Sequence, residues 1–136
     1  MNNNPLIPRI TFICFLFFSM NVMSELNLRC KMVKICENNS RCTTSVAESY
    51  KSIYYKDGWF SNTYIINDND YSDTAKFNKN TITADLFANE AVITTLNLSS
   101  LIYKVKGYLG GATRKSRINP KKTFHTLTEE WLCSKI

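Results

Sequence analysis

The chain has 136 residues, 44% of them hydrophobic, and a formal net charge of +6 at pH 7. This length suits one small domain. The positive excess weakly favours anionic partners and carries no information about the fold.

The first 24 residues predict a secretory signal peptide. Arg9 gives a positive start, residues 10–20 form an apolar run, and Val22 and Ser24 suit positions −3 and −1 of a cleavage site. The alternative is a transmembrane anchor, but the run is about half of the roughly 20 residues that a span needs, and Asn21 interrupts it. We therefore predict a single β-domain at 25–136 that is periplasmic or secreted and meets the membrane only through its signal peptide during export.

Residues 26–36 alternate between apolar and polar positions, which predicts a half-buried strand. Leu28, Cys30 and Met32 fall on one face, and the alternation weakens at Lys34 and Ile35. Residues 37–41 (ENNSR) are polar and predict a turn.

Export leaves four cysteines, and an even number in an oxidising compartment predicts disulfides. Of the three possible connectivities, a hairpin about the ENNSR turn favours the pair Cys36–Cys42, which leaves the pair Cys30–Cys133. Zinc ligands usually lie two to four residues apart, unlike these, and a redox Cys-x-x-Cys motif is absent. We expect neither a metal nor another cofactor.

Segment 43–56 fits two structures. Val46, Tyr50 and Ile53 have helical spacing, but residues 52–55 (SIYY) have strong β-propensity, and the following Asp-Gly dipeptide predicts a hairpin turn. We adopt the strand and keep a short helix at about 45–56, within an α+β fold, as the alternative.

Further strands are predicted at 63–66, 81–83, 91–98, 101–108 and about 123–133. The pair 91–98 and 101–108 forms the clearest hairpin, with Leu101, Tyr103 and Val105 on one face. Six to eight short strands without a long periodic helix predict an all-β fold. We expect a small antiparallel meander that closes into a barrel or half-barrel with two disulfides.

The Cys-x5-Cys-x5-Cys spacing, the sequence TLNLSSLIYKVKG and the late Cys133 resemble a group of small exported four-cysteine bacterial β-proteins of unknown function. This resemblance implies an antiparallel barrel or half-barrel in which the first and last strands meet. A looser likeness is to the c-type lysozyme inhibitor family of small periplasmic barrels. The chain lacks a Ser-Gly-x-x-Tyr loop, and its YLGGATRK loop is basic like lysozyme, so we do not expect lysozyme inhibition.

A basic run is the strongest local charge feature, and it is the candidate site for contact with an anionic partner. Its members are Arg114, Lys115, Arg117, Lys121 and Lys122. The run contains no aromatic residue, so we expect no nucleic acid partner. Charge alone favours the simpler interpretation, a solvated loop that keeps the protein soluble, over this contact.

A dense aromatic group favours core packing over the lining of a ligand cavity in a barrel mouth. It comprises Tyr50, Tyr54, Tyr55, Trp59, Phe60 and Tyr64. His125 is the only histidine, and in a strand it would lie about 13 Å from Glu129, beyond hydrogen-bond reach. We therefore predict no catalytic residues and no enzyme.

The sequence favours an exported, non-catalytic protein that binds a protein or an anionic envelope component. Within that class we consider first an inhibitor or an immunity-type protein that acts in the periplasm. The alternative is a small β-barrel that binds an apolar ligand.

Overall fold

The computed structural model describes residues 24–44, 46–108 and 125–136, and these ranges contain β-strands and no helix. The all-β prediction is confirmed, and the helical alternative for segment 45–56 is wrong because residues 50–56 pair as a strand. The strands are β1 (Glu25–Glu37), β2 (Arg41–Thr43), β3 (Tyr50–Lys56), β4 (Thr63–Ile66), β5 (Asn69–Asp70), β6 (Lys76–Asn78), β7 (Thr81–Asp85), β8 (Val92–Asn97), β9 (Ile102–Tyr108) and β10 (Thr126–Lys135).

The strands form one antiparallel sheet with the order β5-β4-β3-β1-β10-β9-β8-β7-β6, and β2 pairs with β1 beside β3. The first strand is thus inserted between β3 and the last strand, as a closing meander requires. Tyr55 of β3 and Phe77 of β6 have ring centroids 4.7 Å apart, although many strands separate them in the sheet. The sheet therefore curls into a half-barrel whose two outer strands, β5 and β6, are joined by residues 71–75.

The residues that follow β5 fold back onto β4 and cover the part of its edge that β5 leaves unpaired. The backbone N–H of Tyr64 donates to the Ser72 hydroxyl at 3.0 Å, and the N–H of Ser72 donates to the Asp70 carboxylate at 2.9 Å. These Ser72 hydrogen bonds lower the pKa of Asp70. Because a free strand edge invites pairing with other chains, these contacts protect the edge of the sheet.

Both predicted disulfides are present, and each joins residues that lie directly opposite on neighbouring strands. Cys30 faces Cys133 across β1 and β10 with Cα atoms 3.8 Å apart, and Cys36 faces Cys42 across β1 and β2 at 4.0 Å. The N–H of Cys133 donates to the Leu101 carbonyl at 2.9 Å, away from β1. Cys30 and Cys133 are therefore a non-hydrogen-bonded pair, the position at which antiparallel side chains approach most closely.

A β-bulge in β1 places the two disulfides on opposite faces of the sheet. Met32 pairs with Trp131 and Lys34 pairs with Glu130, so Val33 is the extra residue. Residues six positions apart in a regular strand share a face, and the bulge reverses this relation. Cys30 is fully buried in the core, whereas the Cys36–Cys42 bond lies on the outer face.

Large side chains fill the concave face. The four largest fully buried side chains are Trp131, Tyr55, Tyr64 and Tyr103, and smaller apolar residues pack around them. The core prediction for the aromatic group is confirmed for two members, Tyr55 and Tyr64. It is wrong for Tyr50, which is 44% exposed at the start of β3 with the Arg29 guanidinium over its ring. It is also wrong for Trp59 and Phe60, which lie beyond the last paired residue of β3, where strand alternation no longer turns side chains inward.

The core contains two tyrosine hydroxyls without a completed hydrogen bond. The Tyr64 and Tyr103 oxygens are inaccessible to solvent and unpaired, and the nearby Thr94 hydroxyl donates to the Ala84 carbonyl at 3.3 Å. Burial in this low-dielectric interior raises the pKa of both tyrosines above the ordinary value of about 10. Both hydroxyls therefore stay protonated in the folded protein at a pH at which they ionise in the unfolded chain.

We expect stability to fall at alkaline pH through these two residues. Their contribution is fully present below pH of about 10 and is lost as the pH rises, because the unfolded chain then releases protons that the folded protein retains. In the double variant Tyr64→Phe/Tyr103→Phe, urea unfolding between pH 7 and 11 should show a shallower alkaline decline. At pH 7 its free energy of unfolding should stay within about 1 kcal/mol of the wild type. Identical alkaline slopes for the two proteins would contradict this assignment.

Candidate functional site

The predicted basic run lies in residues 109–124, outside the described residues, so its role stays a prediction. Those residues connect β9 to β10, and Tyr108 and Thr126 pair where they begin and end. The described ranges contain eleven basic and eleven acidic residues. The net positive charge expected for the exported chain therefore comes from residues 109–124 in the sequence. The described half-barrel has no formal net charge.

The most exposed aromatic side chains of the described residues lie in the loop between β3 and β4. Trp59 is 74% exposed and Phe60 is 97% exposed. We call residues 57–62 (DGWFSN) the aromatic tip. Single exposed apolar residues are ordinary on protein surfaces, but two adjacent large aromatic residues gain almost nothing from folding in this position. Their apolar surface is removed from water only when another molecule contacts it.

The base of the aromatic tip is held by Asp57. The Ser24 hydroxyl donates to one carboxylate oxygen of Asp57 at 2.6 Å, and the Tyr55 hydroxyl donates to the other. The backbone N–H of Asp57 also donates to the Ser24 carbonyl at 2.9 Å. The Tyr55 bond connects the tip to a core residue of β3. The two Ser24 bonds belong to the uncleaved chain, because the predicted cleavage removes Ser24. In the exported chain the pairing of Lys56 with Glu25 connects the tip to the start of β1.

Gly58 allows the tight path that follows. A Cβ atom at this position would lie 1.9 Å from the backbone oxygen of Ser61, so no other residue fits without a shift of the loop. The N–H of Gly58 points to the Asn62 side-chain oxygen at 3.4 Å. The loop is therefore constrained on both sides of Trp59 and Phe60, and both rings project from an ordered base.

The aromatic tip and the described residues that flank the connection 109–124 lie at opposite ends of the half-barrel. The tip follows Lys56, which pairs with Glu25 at the start of β1. Thr126, which follows the connection, exchanges hydrogen bonds with Asn38, just beyond the other end of β1.

His125 lies at the end of the basic connection and is exposed. The Asn38 amide donates to its Nδ1 at 3.1 Å. The two nearby carboxylates have other contacts: Glu129 accepts a bond from the Trp131 indole at 3.0 Å, and Glu130 pairs with Lys104 at 3.5 Å. The structure does not bring these three side chains together.

Two further features are absent from the described ranges. These ranges contain no group of three or more His, Cys, Asp or Glu residues that could hold a metal ion. They also contain no helix of the length and apolar character that a membrane crossing requires.

Comparisons with protein-family models, with curated proteins and with solved structures each found no match. The geometry of this chain alone therefore carries the functional argument. Sequence reasoning grouped Trp59 and Phe60 with the core aromatics. The available signal was their position directly after the Asp-Gly turn dipeptide, where apolar residues no longer follow the period of a strand.

The two tryptophans of the chain should report the exposed tip directly, since Trp131 is 2% exposed and Trp59 is 74% exposed. We expect acrylamide to quench one fraction of the emission readily and the other poorly. Trp59→Phe should remove the readily quenched fraction and shift the remaining emission to shorter wavelength. Because this substitution is at the surface, the free energy of unfolding should change by no more than about 0.5 kcal/mol. An unchanged quenching curve would place Trp59 in a protected environment and contradict the exposed tip.

Proposed function

We propose that this chain is an exported, non-catalytic binding protein that inserts the aromatic tip into an apolar pocket of another protein. An inhibitor or an immunity-type protein would act in this way. The observation that carries the proposal is the exposure of Trp59 and Phe60 on a loop whose base is fixed by the hydrogen bond from Tyr55 to Asp57 and by the tight path at Gly58.

The chemistry of the tip supports a protein pocket as the target. Residues 58–62 carry no charged side chain. Buried aromatic side chains contribute about 150–250 Å² of contact area each, and tryptophan is enriched among the residues that dominate protein interfaces. Insertion of Trp59 and Phe60 would therefore supply the centre of a small interface.

The ordered base supports affinity. Binding loses free energy when a mobile loop must be fixed, and a loop that is already held loses less. Asp57 and Gly58 hold this loop before any partner is present. The tip is thus preorganised, as an inhibitory loop needs to be.

The compartment and the interior agree with this proposal. Two intramolecular disulfides indicate an oxidising environment, either extracellular or periplasmic. The concave face around Trp131 and Tyr103 is filled by side chains, which favours binding at the surface over the alternative of an apolar ligand inside the barrel.

The test compares partners captured from an envelope extract of the source organism by three oxidised proteins: wild type, Trp59→Ala/Phe60→Ala and Phe87→Ala. Phe87 is the matched control because it is 67% exposed in a different loop, between β7 and β8. A protein captured by the wild type and by Phe87→Ala, and lost with the tip variant, is the expected partner. Its dissociation constant should rise at least about 30-fold in the tip variant, since a dominant interface residue contributes about 2 kcal/mol or more.

Two outcomes would contradict the proposal. Equal capture by all three proteins would show that the tip is not the binding element. Capture that survives in the tip variant and is lost only in a fourth protein, with the charges of Arg114, Lys115 and Arg117 reversed, would assign binding to the basic run instead.

A further inference from the structure

The outer face of the half-barrel carries two adjoining polar grooves that share Lys104 as a common wall. One has a volume of about 290 Å³ and is lined by Thr81, Thr95, Asn97 and Ser100. The other has a volume of about 200 Å³ and lies beside the Cys36–Cys42 bond, where Lys34, Asn39 and Thr128 line it. Together they form one feature, which we call the outer groove.

The strand register explains why these side chains form a row. Lys34 pairs with Glu130, Glu130 with Lys104, Lys104 with Thr95, and Thr95 with Thr83. The row therefore crosses β1, β10, β9, β8 and β7 at right angles to the strands. With about 4.8 Å between neighbouring strands, it spans roughly 19 Å. The row requires the bulge at Val33, because the bulge turns Lys34 to the outer face beside Glu130.

Charge is uneven along the row. Glu130 lies between two lysines and pairs with Lys104 at 3.5 Å. Lys34 has no ion pair within the described part of the chain, so its ammonium group is available at the β1 end. The β7 and β8 end offers hydroxyl and amide groups and no charge.

A second observation marks the same groove. The hydroxyl oxygen of Thr128 is covered by its neighbours and has no hydrogen-bond partner among the described residues. Buried hydroxyls are normally paired, so an unpaired one under a groove is unusual. A small shift of the lining would let this hydroxyl contact a polar ligand beside Lys34.

The lining excludes three classes of ligand. Ile102 is the one apolar aliphatic side chain in the lining, which is too little for a lipid. Strands β1, β10, β9 and β8 are paired on both sides there, so an added peptide strand finds no free edge. The lining contains no aromatic residue on which a nucleic acid base would stack.

We propose that the outer groove binds a short acidic oligosaccharide. A sugar carboxylate would contact the ammonium group of Lys34, and sugar hydroxyls would bond with the Thr95 and Ser100 side chains. This site is separate from the aromatic tip and does not rest on the proposed protein partner, because the two features share no residue.

The test is an NMR titration of the oxidised, ¹⁵N-labelled protein with trigalacturonic acid, with neutral maltotriose and with citrate as a small anion. Trigalacturonic acid should cause saturable shifts of amides along the row, from Lys34 to Thr95. Maltotriose and citrate should each bind at least about tenfold more weakly, because each lacks one of the two kinds of contact. Lys34→Ala and Thr95→Val should each raise the dissociation constant for trigalacturonic acid by about three- to tenfold or more.

Lys76→Ala is the matched control, since Lys76 is exposed on the edge strand β6 and outside the groove. It should leave binding of trigalacturonic acid unchanged. The proposal would be overturned if trigalacturonic acid caused no saturable shifts at concentrations up to about 10 mM. Very weak binding would still be detected in that range. Equal binding of citrate, equal binding of maltotriose, or an equal loss in Lys76→Ala would overturn it as well. Failure here would leave the aromatic-tip proposal unaffected, since the capture experiment uses other residues.

Discussion

Pairing of the first strand with the last is the interaction on which the rest of the structure depends. Nearly every other ladder joins strands that follow each other along the chain, and those hairpins close over short loops. The pairing of β1 with β10 brings together residues about 100 positions apart, and the buried Cys30–Cys133 bond lies within it. Closing so long a loop has a high entropic cost, which the disulfide reduces by restricting the unfolded chain. Without this pairing the sheet would be two meanders with no ladder between them and with additional exposed edges.

The bulge at Val33 determines which surfaces the closed sheet presents. It keeps Cys30 in the core and turns Lys34 and Cys36 to the outer face. The inner face is thereby left to large apolar side chains, and the outer face gains a row of polar groups with a disulfide beside it. The aromatic tip depends on the first strand differently, since it follows Lys56, which pairs with Glu25 at the start of β1. Both proposed binding features thus rest on the position of the first strand.

The sequence predicted most of the fold and little of the site. Alternation identified the long strands, and the cysteine positions identified both disulfides. Strands β2, β5 and β6 have two or three residues, too few for a periodic signal. The bulge was visible only as weaker alternation near Lys34, because the extra residue is defined by the partner strand. The exposure of Trp59 and Phe60 was missed because apolar character alone does not show which side of a turn a residue lies on. The outer groove depends on register across five strands, and a sequence does not show that register.

The most direct test of closure is a comparison of stability after each disulfide is removed, in Cys30→Ala/Cys133→Ala and in Cys36→Ala/Cys42→Ala. The account predicts a loss of somewhat under about 5 kcal/mol in the free energy of unfolding for the first variant, and of roughly 2 kcal/mol for the second. The melting temperature should also fall further in the first variant, because the Cys30–Cys133 bond closes the longer loop. Equal losses, or a larger loss from the second variant, would contradict the claim that the joining of β1 to β10 dominates the stability of this fold.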